Sequence, residues 1–237
     1  MTGALSGEIA LVTGGSRGIG RAMALALRAE GARVAVAHPD DPAAADLPAD
    51  ILQIAADVTS EAEVVALFAT LKVRLGPASL VFANAGILDE APLRETSAES
   101  FDRVLAVNLR GAFLTAREAA RQMVRGRIVF TASDLGFLGA AQTVAYAASK
   151  GGIIAMTRSL ARELGPEILV NAIAPGPVET DMTAGMSPEA VARDLATPLG
   201  RFGRPEEIAA MAVFLAGPGA GFITGQVFGV NGGSAMY

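Results

Sequence analysis

Cysteine is absent from the 237 residues, which excludes disulfide frameworks, Cys-based zinc sites, iron–sulfur clusters and thiol nucleophiles together. Histidine is nearly absent: His38 stands alone, so no multi-histidine metal site can form and no metal is expected. Charge is scarce as well. Only 18% of residues are charged, and 19 Lys+Arg against 24 Asp+Glu give a net charge of -5 with no basic run to neutralise successive phosphates. A nucleic-acid partner is therefore not expected. Nor is a membrane partner, because the apolar run at 208–216 is broken well short of a span and the N-terminus MTGALSGEIA lacks a basic, then apolar, leader pattern. The expectation is a soluble, cytoplasmic protein. What the chain does have is core material, 51% hydrophobic, so it folds, and its chemistry must come from oxygen, amine or cofactor groups.

Short apolar segments bounded by Gly, Pro, Asn or Asp predict strands at 9–13, 33–37, 51–55, 80–83, 127–131, 169–173 and 226–230. Helix-like segments lie between them at 19–30, 60–74, 97–123, 143–164 and 205–216, the first of them stopped by Gly31. This alternation predicts an α/β fold, a doubly wound parallel seven-stranded sheet with helices on both faces. No Pro-, Ser- or charge-rich linker and no repeat divides the chain, so 1–237 is expected to be a single domain. Two stretches are irregular. Segment 39–48 is too Pro-rich for more than loop or one or two turns, and 175–205 follows the sixth strand at the sheet's carboxyl end. A long segment there suits a substrate lid, about 176–204.

The first strand runs into Thr13-Gly14-Gly15-Ser16-Arg17-Gly18-Ile19-Gly20. Glycines permit a tight turn and close approach to a pyrophosphate, whose charge the N–H groups at a helix start then stabilise. A glycine-rich cap without a ligand is the alternative, and the strand-before, helix-after context favours the phosphate. Tyr146 and Lys150 are four apart in a predicted helix and so share a face. A phenol of pKa about 10 is a poor base, and a neighbouring ammonium is expected to favour the phenolate. Such pairs also occur by chance. Ser133, just past the fifth strand at the ligand-binding edge, has a hydroxyl able to hold a carbonyl or alcohol oxygen.

Taken in order, the turn at 13–20, Asp57-Val58, Asn84-Ala85-Gly86, Asn108, Ser133, Tyr146/Lys150 and Pro175-Gly176-x-Val178-x-Thr180 resemble the short-chain dehydrogenases/reductases. The resemblance covers nearly the whole chain and implies a Rossmann-type dinucleotide-binding catalytic domain. It implies that Tyr146 is the catalytic acid/base, that Ser133 orients the substrate oxygen, that Lys150 binds the nicotinamide ribose and tunes the tyrosine, and that Asn108 holds a relay water. It further implies cofactor contacts from Gly14, Ser16, Arg17, Gly18, Ile19 and Gly20, from Asp57 and Val58 at the adenine, and from Asn84, Ala85 and Gly86 along the cleft. Pro175, Gly176, Val178 and Thr180 would lie at the carboxamide. Asn108 could instead be a buried amide satisfied by backbone, Asp57 a helix-capping residue, and 175–180 a plain turn.

His38 ends the second strand, where an acid would hold a 2′-hydroxyl and a cation would accommodate a 2′-phosphate. With Arg17 it favours NADP; NAD is the alternative, because Asp40 and Asp41 lie nearby and could bind a ribose hydroxyl or repel a phosphate. The expected reaction is hydride transfer between nicotinamide and a secondary alcohol or ketone. Asp134, Leu135, Phe137, Gln142, Glu179, Met182 and Met186 are candidate substrate-pocket residues. The motifs are most similar to the 3-oxoacyl-carrier-protein reductases, which makes a 3-oxoacyl thioester one expected substrate and a small alcohol, sugar or hydroxy acid the alternative. A non-catalytic dinucleotide-binding module, or an epimerase or dehydratase, stays open on the same scaffold. Ala147, Ala148, Gly151, Gly152 and Ala155 give the 143–164 helix a small-residue face, and the resemblance implies a homotetramer built partly on it.

Overall fold

The computed structural model describes residues 3–39, 41–186 and 188–236. Chain order is β1 Ile9–Thr13, α1 Gly18–Ala29, β2 Arg33–His38, β3 Leu52–Ala55, α2 Glu61–Arg74, β4 Leu80–Ala83, α3 Ala98–Leu105, α4 Gly111–Gln122 and β5 Gly126–Thr131. There follow α5 Leu135–Leu138, α6 Val144–Leu164, β6 Ile168–Pro175, α7 Pro188–Leu195, α8 Pro205–Ala216 and β7 Val227–Val230. The strands form one parallel sheet ordered β3-β2-β1-β4-β5-β6-β7. The chain leaves β1 in one direction through β2 and β3 and returns to β4 on the other side. That reversal opens a crevice at the carboxyl ends of β1 and β4, where this class of sheet takes its ligands.

The inner strands β1 and β4 are apolar without alternation because both sheet faces are covered, whereas the edge strand β3 alternates. Leu11, Ala35, Val81, Ile128 and Phe130 pack under Val64, Leu67 and Phe68 of α2, Leu114 and Ala119 of α4, and Ile153 of α6. Their neighbours Ala10, Val12, Val34, Val36, Leu80, Phe82 and Val129 point the other way, to Met23 and Leu27 of α1 and Ile208, Ala212 and Leu215 of α8. Consecutive residues therefore serve opposite cores.

Helix ends follow local chemistry. Ser60 and Ser97 cap α2 and α3, their hydroxyls accepting from Glu63 N at 3.3 Å and Ser100 N at 3.1 Å. Two segments differ from expectation, 97–123 and 175–205, while 39–48 agrees with it. The predicted 97–123 helix is broken by a π turn at Ala106–Arg110, whose extra backbone atoms per turn rotate Asn108 into the interior. The 39–48 stretch holds one short helical turn, Pro42–Asp46, started by Asp41, whose carboxylate accepts from Ala43 N at 3.0 Å. The segment expected to be irregular around 175–205 contains a helix, α7. Among the described residues no helix is long and apolar enough to cross a membrane.

Candidate active site

Thr13 ends β1 in a junction that ties three strands together. Its Oγ1 accepts from Asn84 N at 3.0 Å and Ala85 N at 3.2 Å. Asn84 Nδ2 donates to Thr13 O at 3.1 Å and Gly14 O at 3.3 Å, while its Oδ1 accepts from Thr131 Oγ1 of β5 at 3.0 Å. The amide of Asn84 is thus spent on holding the crevice floor. Gly18 has φ +52°, and a Cβ there would sit 3.3 Å from Thr180 Cγ2, so the glycine turn and the segment after β6 meet across the crevice. Unlike α2 and α3, α1 starts without a side-chain cap and without an acid in its first turn. Its N–H groups and positive end face the crevice uncompensated.

At the end of β2, His38 is buried, and its Nδ1 accepts from Asp41 N at 3.0 Å. In the neutral imidazole the proton then sits on Nε2, which is buried without a partner. Asp41 faces the turn: Oδ2 accepts from Ser16 Oγ at 2.6 Å and pairs with Arg17 Nε at 3.4 Å. The Ser16 bond, then Ala43 N and the charge of Arg17, hold the Asp41 carboxyl below the usual carboxylate range. Asp40 lies outside the described residues. An orphaned imidazole donor, a bare helix start and a glycine turn fit a dinucleotide phosphate and ribose.

Asp57 and Val58 follow β3. Asp57 Oδ1 accepts from Thr59 N and Thr59 Oγ1, both at 2.8 Å, and Asp57 N donates to Glu63 Oε2 at 2.9 Å, which leads the chain into α2. Val58 is buried, its Cγ2 2.7 Å from where a Cβ on Gly111 would fall.

Ser133 is buried beyond β5. Its Oγ accepts from Leu135 N at 3.2 Å, donates to Asp134 Oδ1 at 3.0 Å and is hydrogen-bonded to the Tyr146 hydroxyl. Tyr146, in the first turn of α6, is half-buried; Lys150, one turn on, is fully buried, with Nζ 5.5 Å from the tyrosine ring centre. Nζ donates to Thr131 O at 2.7 Å. Burial pushes the Tyr146 phenol up to about 12, with the charge of Asp134 adding to the shift and the Ser133 bond opposing it. Burial also pushes Lys150 down to about 8. The shift of the phenol is opposite to that expected from helix spacing, because desolvation outweighs an ammonium that is anchored on a β5 carbonyl.

Asn108 is fully buried. Its Nδ2 donates to Ile87 O at 2.9 Å and Ser149 Oγ at 3.1 Å, and its Oδ1 accepts from Ile87 N at 2.8 Å. These bonds satisfy the side-chain amide from its surroundings. Ser149 Oγ in turn donates to Tyr146 O at 2.7 Å, so Asn108 braces the tyrosine's backbone. Asn108→Ala strips Ile87 of both partners and is expected to cost about 2–4 kcal/mol of stability, read as a lower urea midpoint at unchanged slope.

Beyond β6, Pro175 O accepts from Asp134 N at 3.0 Å and Gly176 N donates to Val230 O at 3.2 Å. Val178 is buried and Thr180 Oγ1 donates to Val178 O at 3.4 Å. The candidate substrate residues scatter more widely. Leu135 opens α5 beside Ser133, while Phe137 lines a cavity of about 550 Å³ with Arg158, Ala161 and Gln226, apart from Ser133 and Tyr146. Gln142 is exposed at φ 69°, its carbonyl accepting from Ala91 N at 2.9 Å. Glu179 and Met182 are exposed and Met186 half-buried before α7. Sequence reasoning missed three contributors. Arg193 of α7 pairs with Glu90 Oε1 at 3.8 Å and feels the charge of Asp134, and Ser234 Oγ donates to Asp134 Oδ2 at 2.5 Å. Helical spacing in 188–195 could have flagged the first; nothing local marks the other two.

Comparison with known proteins gives a consistent result. The family model described as enoyl-(acyl carrier protein) reductase matches residues 14–235. A short-chain type dehydrogenase/reductase of Picea abies is 40% identical over 251 residues, covering 97% of this chain and 93% of the relative. The 3-oxoacyl-acyl-carrier-protein reductase MabA of Mycobacterium tuberculosis is 39% identical over 231 residues, covering 95% and 92%. Among solved structures, a blue fluorescent protein from a metagenomic library in complex with NADPH aligns with TM-score 0.91 at 36% identity, covering 98% of this chain and 100% of that one.

Proposed function

Because the chain belongs to the short-chain dehydrogenase/reductase family, we propose that Ser133, Tyr146 and Lys150 are the reacting set of an NADP-linked ketone reductase. As an NAD(P)-dependent oxidoreductase it acts on alcohol and ketone groups; the substrate class proposed is a 3-oxoacyl thioester, in keeping with its likeness to MabA. The observation that carries the reading is the meeting of the Ser133 and Tyr146 hydroxyls beside buried Lys150, at the carboxyl edge of the sheet.

A bound nicotinamide supplies hydride to the ketone carbon, or takes it from the alcohol. The start of α1 and Gly14–Gly20 would hold the pyrophosphate, and Ser16, Arg17 and the His38 Nε2–H would serve the adenosine ribose. Asp57 and Val58 would border the adenine, Asn84–Gly86 the cleft, Lys150 the second ribose, and Pro175, Gly176, Val178 and Thr180 the carboxamide. Ser133 holds the substrate oxygen while the Tyr146 hydroxyl gives it a proton. A phenol pushed up to about 12 keeps that proton at neutral pH, which suits reduction. Segment 176–204, with Arg193 against Glu90, acts as the lid over the single domain. The small face of α6 supports a homotetramer.

NADP is favoured by His38 at the end of β2 and by Arg17, whose pairing with Asp41 a 2′-phosphate would displace, and is bound by the NADPH-complexed neighbour. The test is a ketone and alcohol panel, including an acetoacetyl thioester, run with each reduced cofactor. Turnover of the thioester with NADPH, bound at least about tenfold tighter than NADH, is expected. A preference for NADH overturns the cofactor assignment. Tight binding without turnover of any ketone leaves a non-catalytic dinucleotide module.

A further inference from the structure

The reacting set leaves one buried acid beside it unused. Asp134 is 6% exposed, yet both its carboxylate oxygens are taken: Oδ1 by Ser133 Oγ at 3.0 Å and Leu135 N at 2.7 Å, Oδ2 by Ser234 Oγ at 2.5 Å. Ser234 lies 100 residues further along the chain. The tail that carries it is folded on buried Asn231, whose Oδ1 accepts from Gly233 N at 3.0 Å and whose Nδ2 donates to Ala235 O at 3.0 Å. Leu199 N donates to Gly232 O at 3.2 Å, tying the segment before α8 to the same tail.

A serine hydroxyl has one hydrogen. Placed on Tyr146 it would favour the phenolate; placed on Asp134 Oδ1, at 3.0 Å, it leaves the Ser133 Oγ lone pairs to accept from the phenol. We propose that Asp134, clasped by Ser234, is a positioning residue that keeps Ser133 a hydrogen-bond acceptor and Tyr146 a protonated acid until substrate enters, when the Ser133 hydrogen turns from Asp134 to the substrate carbonyl. The inference rests on Ser133 and Tyr146 being the reacting pair, and it gives a use to a carboxylate buried so close to the reaction. The groups facing Asp134 are Ser133, Tyr146 and Ser234, together with Asp194 and Arg193 of α7, the latter paired with Glu90; Lys150 Nζ lies 5.5 Å from the Tyr146 ring centre. Burial, then the charge of Asp194, raises the Asp134 carboxyl, opposed by the Ser234, Ser133 and Leu135 bonds. Neutralising this residue is therefore not expected to unfold the protein.

The chain has two tyrosines, Tyr146 and Tyr237, and no tryptophan, so a Tyr237→Phe background lets phenolate ultraviolet absorbance report Tyr146 alone. In that background, Asp134→Asn is expected to ionise Tyr146 at a pH at least about half a unit lower than the parent, and Ser234→Ala to shift it less in the same direction. Circular dichroism sets the pH limit of the folded state for each protein. The kinetic counterpart, with NADPH and the best ketone of the panel, is a reduction kcat lowered about three- to tenfold at unchanged KM for NADPH, and an alcohol-oxidation profile moved toward neutral pH. Identical phenolate curves, or no ionisation in either protein before the fold is lost, overturn the proposal. Should even the parent turn over no ketone, the proposed reaction fails while the titration still decides the part played by Asp134.

Discussion

Tyr146→Phe is expected to lose turnover by about a hundred- to ten-thousandfold while binding NADPH within about twofold of the parent. The substitution removes one oxygen and nothing else. The ring keeps its place at the start of α6, where Ser149 Oγ still bonds the backbone carbonyl at 2.7 Å, and Lys150 keeps its bond to Thr131 O at 2.7 Å. No contact of the glycine turn or of His38 depends on the phenol. What disappears is the hydroxyl beside Ser133 that keeps its proton at neutral pH, since the phenol is pushed up to about 12. Single-turnover reduction of the best ketone and fluorescence titration of NADPH separate the two effects. Near-parent reduction by the variant would remove Tyr146 from the chemistry.

The sheet is legible in the chain because burial on both faces leaves no room for polar alternation. β1 and β4 are buried at every position, so the apolar runs announce themselves, and the strand limits read from sequence fall within a residue or two of those observed. The break at Ala106–Arg110 is not legible. A π turn shifts the register of one turn without changing which residues are apolar, and the bonds it gives the Asn108 amide are to Ile87 and Ser149, distant in sequence. Helix α7 is short and has no buried residue, so it leaves a weak apolar signature.

The same division runs through the site. The facing of Tyr146 and Lys150 is a local consequence of helical spacing and was readable. Their protonation is not, because it depends on how deeply β5 and the Ser133 loop bury them and on a carbonyl that competes for the ammonium. Charges near His38 were visible as letters. That Asp41 engages Ser16 and Arg17 while leaving the His38 Nε2 bare is a matter of tertiary pairing. The Asp134–Ser234 clasp is the extreme case, closing a loop with no local trace in either partner.

The second large effect is expected at the turn. Gly20→Ala should weaken NADPH binding by at least about a hundredfold and destabilise the fold by about 1–3 kcal/mol. A Cβ at this position would lie 2.1 Å from Gly14 O, 2.5 Å from Asn84 Nδ2 and 2.9 Å from Gly14 C. Neither neighbour can yield cheaply. Gly14 N is bonded to Ala37 O at 2.8 Å, and Asn84 is fixed by Thr13 O at 3.1 Å and by Thr131 Oγ1 at 3.0 Å. The methyl must therefore push α1 off the ends of β1 and β4, moving the N–H groups that would meet the pyrophosphate, where small displacements are costly. Gly219→Ala is the matched control, because its added Cβ meets nothing nearer than Phe214 Cε2 at 3.5 Å, an ordinary contact. Urea unfolding and NADPH titration of both variants make the comparison. If the two behave alike, the close packing of helix start on turn is not what holds the crevice in shape.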